Sequence, residues 1–239
     1  CHIHFYFAGR QRRIFDIIKG MAPLENFTHE FSESIKPDAD LASAADVILA
    51  DLQETDAREA LRMFISCKRK ETELILLADK NQILLLADYL QEIRDIWTMP
   101  MSEEETAFRF LRWQQACKKE KEAWQTSHFL EATIDNTPNL IWYKSKDGTH
   151  EKVNDSFCKT VNKTKQQVQG RGHAYIWDVE REDPACIESD NQVMLQKKTH
   201  ISEEVIQTGE GERLLTTYKS PLYDLDGSVM GTVGVAIDV

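Results

Sequence analysis

Several absences narrow the possible functions at the outset. No run approaches eighteen apolar residues, so no segment is expected to span a bilayer. Basic residues are the minority: 29 Lys and Arg stand against 40 Asp and Glu, for a net charge of -11 and a pI near 5.2. An extended phosphate backbone or an anionic lipid surface would repel such a chain as a whole, which argues against nucleic acid and membranes as partners. Cysteine is sparse and never forms a CxxC pair. Cys1, Cys67, Cys117, Cys158 and Cys186 are odd in number and scattered, which favours reduced thiols and a cytoplasmic location. HExxH, a Walker-type glycine loop, GxSxG and GxGxxG are all missing, so no catalytic residue and no metal site is expected. His2 and His4 share one strand face, but no third ligand lies near them in sequence. The chain opens without Met in strand-like residues, with no signal peptide ahead of them, and stops on Asp238 and Val239. The expectation is a piece of a longer protein.

At 239 residues there is room for two domains, expected at 1–112 and 128–239. Between them, residues 102–136 run without Gly or Pro. Ser102 and the three glutamates after it mark a helix start, and a helix of that length would extend roughly 50 Å. Phe108 and Leu111 are expected to bury against the first domain. Trp113, Ala116, Ala123, Leu130 and Ile134 fall near a heptad seam that Glu120 and Ser127 interrupt, so a connector is favoured over a constitutive coiled coil.

In the first domain, strand-like runs at 2–8, 27–32, 47–52, 73–78 and 94–99 alternate with helical stretches at 12–19, 54–69 and 82–92. That pattern predicts a doubly wound α/β parallel sheet with its chemistry at the carboxyl ends of the strands. The third strand ends at Asp51 in DVILADL, a string that resembles the phosphoacceptor strand of response-regulator receiver domains. The family's acidic pair after strand one is replaced by Ala8 and Gly9, its Thr or Ser after strand four by Ala78, and its Lys before the following proline by Met99. Phosphoryl transfer needs a metal and a cation to neutralise the transferring oxygens. The resemblance therefore implies a degenerate receiver-like domain in which Asp51 is phosphoacceptor-like but idle. The rival reading is a working phosphoacceptor in which Asp79, Lys80 or Arg10 substitutes for the lost groups.

The second domain reads as strand, Asp147-Gly148 turn, strand, short helices closed by Gly170 and Gly172, a helix at 184–198 capped by Asp183, then three strands with turns at 209–211 and 226–227. The strings NTPNLIWYKSKDG, VNDSFCKTV and KSPLYDLDGSVMGTVGVAIDV resemble a PAS domain. The resemblance implies an α+β fold with a five-stranded antiparallel sheet around a pocket, and a closing Asp-Val that leads into a following output domain.

Pocket candidates on that resemblance are Trp142, Phe157, His173, Trp177 and Tyr218, with Arg171 and Lys219 as anion contacts. Alternation would send Tyr218 to the face opposite Thr217 and Lys219. The helix 184–198 lacks the His of haem-binding relatives, and Cys158 sits one helix too early for a flavin adduct, so neither cofactor is expected; a small metabolite, or nothing, remains. The implied function is the sensory part of a bacterial signalling protein. It would form a homodimer and relay a signal in cis to a GGDEF diguanylate cyclase, or to a histidine kinase; a ligand-free dimerisation scaffold is the further alternative.

Overall fold

The structure, a computed structural model, describes residues 1–53, 57–208 and 211–238. It divides into two compact units, Cys1–Glu122 and Ala123–Val239, and one helix crosses the division.

The first unit holds strands β1 (His2–Ala8), β2 (Thr28–Ser34), β3 (Val47–Asp51), β4 (Glu73–Asp79) and β5 (Asp95–Met99). All pair in parallel in the order β2-β1-β3-β4-β5, one of the common doubly wound arrangements. Every residue of β3 is buried, because helices cover both faces of the sheet and a strand so placed has no reason to alternate. On one face, α1 (Arg12–Gly20) and the start of α4 (Glu103–Asp135) pack Ile14, Phe15, Phe110 and Trp113 against Phe5, Phe7 and Leu49. On the other, α2 (Ala39–Ala44), α3 (Ala57–Cys67) and a 3₁₀ turn at Ile83–Tyr89 cover Tyr6, Ile48 and Leu76. The expected helix at 54–69 is described from Ala57; residues 54–56 lie outside the described ones. Helix α2 was not foreseen from the sequence, although Asp38 caps it by accepting from the Leu41 N–H at 3.0 Å.

Helix α4 corrects one expectation. Its buried residues are Thr106, Phe110, Trp113 and Gln114, whereas Phe108 and Leu111 are exposed. At 100° per residue these two fall on the far side of the stripe that meets the sheet. Residues 122–133 of the same helix are exposed along their whole length.

The second unit adds β6 (Leu140–Ser145), β7 (His150–Val153), α5 (Asp155–Val161), α6 (Lys165–Val168), α7 (His173–Ile176), α8 (Pro184–Gln196), β8 (His200–Thr208), β9 (Gly211–Tyr223) and β10 (Val229–Asp238). The strands form an antiparallel sheet in the order β7-β6-β10-β9-β8. Of the turn expected at 209–211, residues 209 and 210 lie outside the described ones, as does Val239.

Asn154, fully buried, fixes where this sheet meets its helices. Its Oδ1 accepts from the Ile141 N–H and from the Phe157 N–H, both at 3.0 Å, while its Nδ2 donates to the carbonyls of Asn139 and Ile134. One side chain thus satisfies the open start of α5 and holds β6 in register with it, which points Phe157 under the sheet. At the other end of the helical layer, Asp183 accepts from the Ala185 N–H at 2.9 Å and Pro184 begins α8.

Candidate functional site

Alternation along three strands sends one row of side chains each beneath the antiparallel sheet: Leu140, Trp142 and Lys144 from β6, Leu215, Thr217 and Lys219 from β9, and Ala236 from β10. With α5, α7 and α8 opposite, they enclose a cavity of about 580 Å³, within the usual range for a small-molecule site. Gly234 lies against Trp142, and a Cβ there would sit 2.2 Å from the indole, so the absence of a side chain is what lets that ring lie flat on the sheet.

Buried charge stands in and directly behind the cavity wall. Lys144 Nζ stands 3.0 Å from Asp190 Oδ2 on α8 and 3.1 Å from Cys186 Sγ one turn earlier. Thr232 Oγ1 donates to the other oxygen of Asp190 at 3.4 Å. Lys219, 1% exposed, reaches toward Glu204 Oε1 and Ser189 Oγ at 3.4 Å each, and Asp190 Oδ1 at 3.8 Å. Two ammonium groups therefore share a single buried carboxylate, with Glu204 nearer the surface as a partial second partner. Burial works against the charge on Lys144, but the neighbouring Cys186 and Asp190 outweigh it and hold its pKa above the usual lysine value.

The imidazoles respond in the opposite sense. Burial, reinforced by the charge of Lys144, pushes His150 down to about 3, although the Arg171 carbonyl beside its ring pulls the other way. His173 is lowered as well, first by burial and then by Lys144, against the pull of Asp183, Glu182 and Glu204. Both rings are thus neutral acceptors and donors at neutral pH.

Of the residues expected at a pocket, Trp142, Phe157, His173, Trp177 and Lys219 line this one cavity. Two expected residues lie elsewhere. Tyr218 is on the outer face of β9 and 39% exposed, because a strand that turns Thr217 and Lys219 inward must turn Tyr218 out. Arg171 is exposed, its guanidinium 5.0 Å from the Tyr175 ring centroid, and only its backbone approaches His150. Lys144, His150, Cys186 and Thr217 in the cavity wall, and Asp190 behind it, did not stand out in the sequence. Period two from Trp142 marks Lys144, and the four-residue spacing marks Cys186 and Asp190 as neighbours on α8, but nothing local says that a Lys on a strand is buried.

At the carboxyl end of the parallel sheet, Asp51 is 8% exposed and accepts from the backbone N–H of Arg10 at 3.3 Å and of Gln53 at 3.1 Å. Gly9, with φ +131°, comes so near that a Cβ would sit 2.3 Å from Asp51 Cβ. Around it, Gln53 donates to Asp79 Oδ1 at 2.7 Å and Gln82 accepts from the Asp79 N–H at 2.8 Å. Among the described residues, no three His, Cys, Asp or Glu side chains are placed to hold a metal ion.

Residues 134–239 match the family model for the PAS fold, and this part of the chain is a PAS domain. Solved structures similar to it include the PAS domain of BvgS from Bordetella pertussis, at 22% identity over 48% of this chain and 87% of that one, with a TM-score of 0.39. A PAS domain of an HTR-like protein from Haloarcula marismortui matches at 23% identity over 51% of this chain and 98% of that one, with a TM-score of 0.40. The phage VqmA–DPO complex matches at 21% identity, with 51% of this chain and 56% of that one covered and a TM-score of 0.39. No curated protein matches the chain. The second unit carries a sensory fold of the kind found in signalling proteins. Among the described residues, no helix is long and apolar enough to cross a membrane.

Proposed function

We propose that the PAS domain is a receptor for a small organic molecule and that the chain is the sensory part of a bacterial signal-transduction protein. The observation that carries this is the cavity of about 580 Å³ with two lysines and an aspartate buried beneath the sheet. A domain that only needed to fold would be at least as stable with apolar side chains there. Occupation of the cavity changes how β6, β9 and β10 pack on α8, and the last strand passes that change to a C-terminal output domain. A GGDEF diguanylate cyclase is the first candidate for that domain and a histidine kinase the second. The protein works as a homodimer in the cytoplasm. Its ligand is neither haem nor flavin: α8 offers no histidine, and Cys158 on α5 is not part of the cavity wall. Native mass spectrometry of the purified chain tests the reading. A copurified compound lost on mild denaturation is the expected result. Its absence, together with no thermal shift across a metabolite panel, leaves the scaffold alternative.

The first unit is read as a degenerate receiver-like domain. Two features support this: the strand order, and the approach of Gly9 to Asp51, which leaves no room for a side chain where the family carries an acid. Incubation with Mg²⁺ and a small phosphodonor is expected to leave the mass unchanged. A phosphate adduct lost in Asp51→Ala would establish a working phosphoacceptor instead.

A further inference from the structure

The charged end of the PAS cavity is asymmetric. Asp190 is engaged by Lys144 at 3.0 Å, while Lys219 makes no contact with an anionic oxygen nearer than 3.4 Å. Charge-assisted N–H···O bonds normally close to about 2.7–2.9 Å. An ammonium out of water with only long contacts is costly, and one kept there in a cavity wall is poised for an anion that is not part of the chain. Two residues along the same face of β9, Thr217 is fully buried and its hydroxyl has no hydrogen-bond partner. A buried hydroxyl left unpaired beside a cation is the second sign of a missing acceptor.

Resting on the receptor reading above, we infer that the cavity binds a monocarboxylate with an apolar body, whose carboxylate takes the place of Glu204 at Lys219 and accepts from Thr217. Glu204 marks where such a group sits. Its carboxylate is the nearest anion to Lys219, and its side chain is 38% exposed, so it can turn to solvent when displaced. Ser202 Oγ, which donates to Glu204 at 3.0 Å, lies on the same face of the same strand and can follow it. A single negative charge is preferred because Asp183 and Glu203, both exposed, also border the cavity and repel a second one. The apolar part of the wall includes Leu140, Trp142, Phe157, Leu215 and Ala236, which suits an aromatic or branched hydrocarbon body, and the neutral rings of His150 and His173 border it.

The probes are benzoate, phenylacetate, 3-phenylpropionate, 4-phenylbutyrate and indole-3-acetate, each paired with its amide, titrated calorimetrically against the full chain at pH 7.5. At least one acid is expected to bind ten-fold or more tightly than the amide of the same shape. Lys219→Met should lose that preference, with circular dichroism confirming a folded domain. Glu204→Gln, at a partly exposed position, should bind the acid several-fold more tightly because the internal competitor is gone, a gain that misfolding does not mimic. Equal binding of acid and amide overturns the inference while leaving a small-molecule receptor standing. Failure of every acid to bind overturns it too, and the copurified-compound experiment then judges the receptor reading on its own. An unchanged affinity in Glu204→Gln overturns the displacement.

Discussion

Lys144 on β6 and Asp190 on α8 meet at 3.0 Å with side chains 5% and 8% exposed, so the sheet and its covering helix are joined by an ion pair that water hardly reaches. Removing one partner strands the other charge. Asp190→Asn is expected to destabilise the PAS domain by about 3 kcal/mol, while Lys144→Met combined with Asp190→Leu should recover most of the loss. Urea titration read through hydrogen-exchange protection of β6 and β10 checks both, and a double variant as unstable as the single one would contradict this account.

His150 makes stability depend on pH. Its folded-state value of about 3 lies below the ordinary 6.5, so the unfolded chain takes up a proton first as pH falls. The contribution is complete above pH 6.5 and is withdrawn as the pH drops toward 3, at up to about 1.4 kcal/mol per pH unit. The groups acting on it are Lys144, Lys219, His173 and the Arg171 carbonyl. Melting curves between pH 7 and 5 are expected to show a smaller slope in His150→Phe than in the unmodified chain.

Gly234→Ala places a methyl carbon where the Trp142 indole now lies, 2.2 Å away. Overpacking of this kind typically costs about 1–3 kcal/mol. The ring must lift into the cavity, so ligand capacity should fall along with stability. Affinity for any acid that binds the unmodified chain, measured calorimetrically, gives the comparison.

Gly9→Ala is expected to weaken the first unit by about 1–3 kcal/mol, since it adds both a left-handed φ of +131° for a residue with a Cβ and a collision with Asp51. Protection of β1 and β3 amides should drop, with those of β6 and β10 unchanged.

The thiols are expected to differ in reactivity. Burial pushes Cys117 up to about 12, and the charges of Glu73 and Glu120 add to it, with Arg94 opposing. At pH 8 its thiolate fraction is roughly a ten-thousandth, and Cys1 is exposed. Timed alkylation with iodoacetamide, mapped by peptide mass, should label Cys1 early and Cys117 last.

Much of the architecture was legible because it depends on local periodicity. The run VILAD reads as a strand buried on both faces, and Asp183 with Pro184 reads as a helix start; both hold in three dimensions. Helix α2 escaped because ADLASA is short, its single buried residue is Ala42, and only the Asp38 cap betrays it. Phe108 was misplaced because a hydrophobic residue on an amphipathic helix does not say which side meets the core. Tyr218 is more instructive, since alternation separates it from Lys219 in the sequence itself, so the two had no common face to share.

Local patterning was enough to give the ten strands and most of the helices, α2 excepted, including the strands that carry Trp142 and Lys219, since hydrophobic period and turn residues are local properties. Tertiary structure alone decided that Lys144, Lys219 and Asp190, up to 75 positions apart by their numbering, converge out of water. No local pattern encodes the burial of a charge: it follows from which strand lies beside which, and from what helix closes over them.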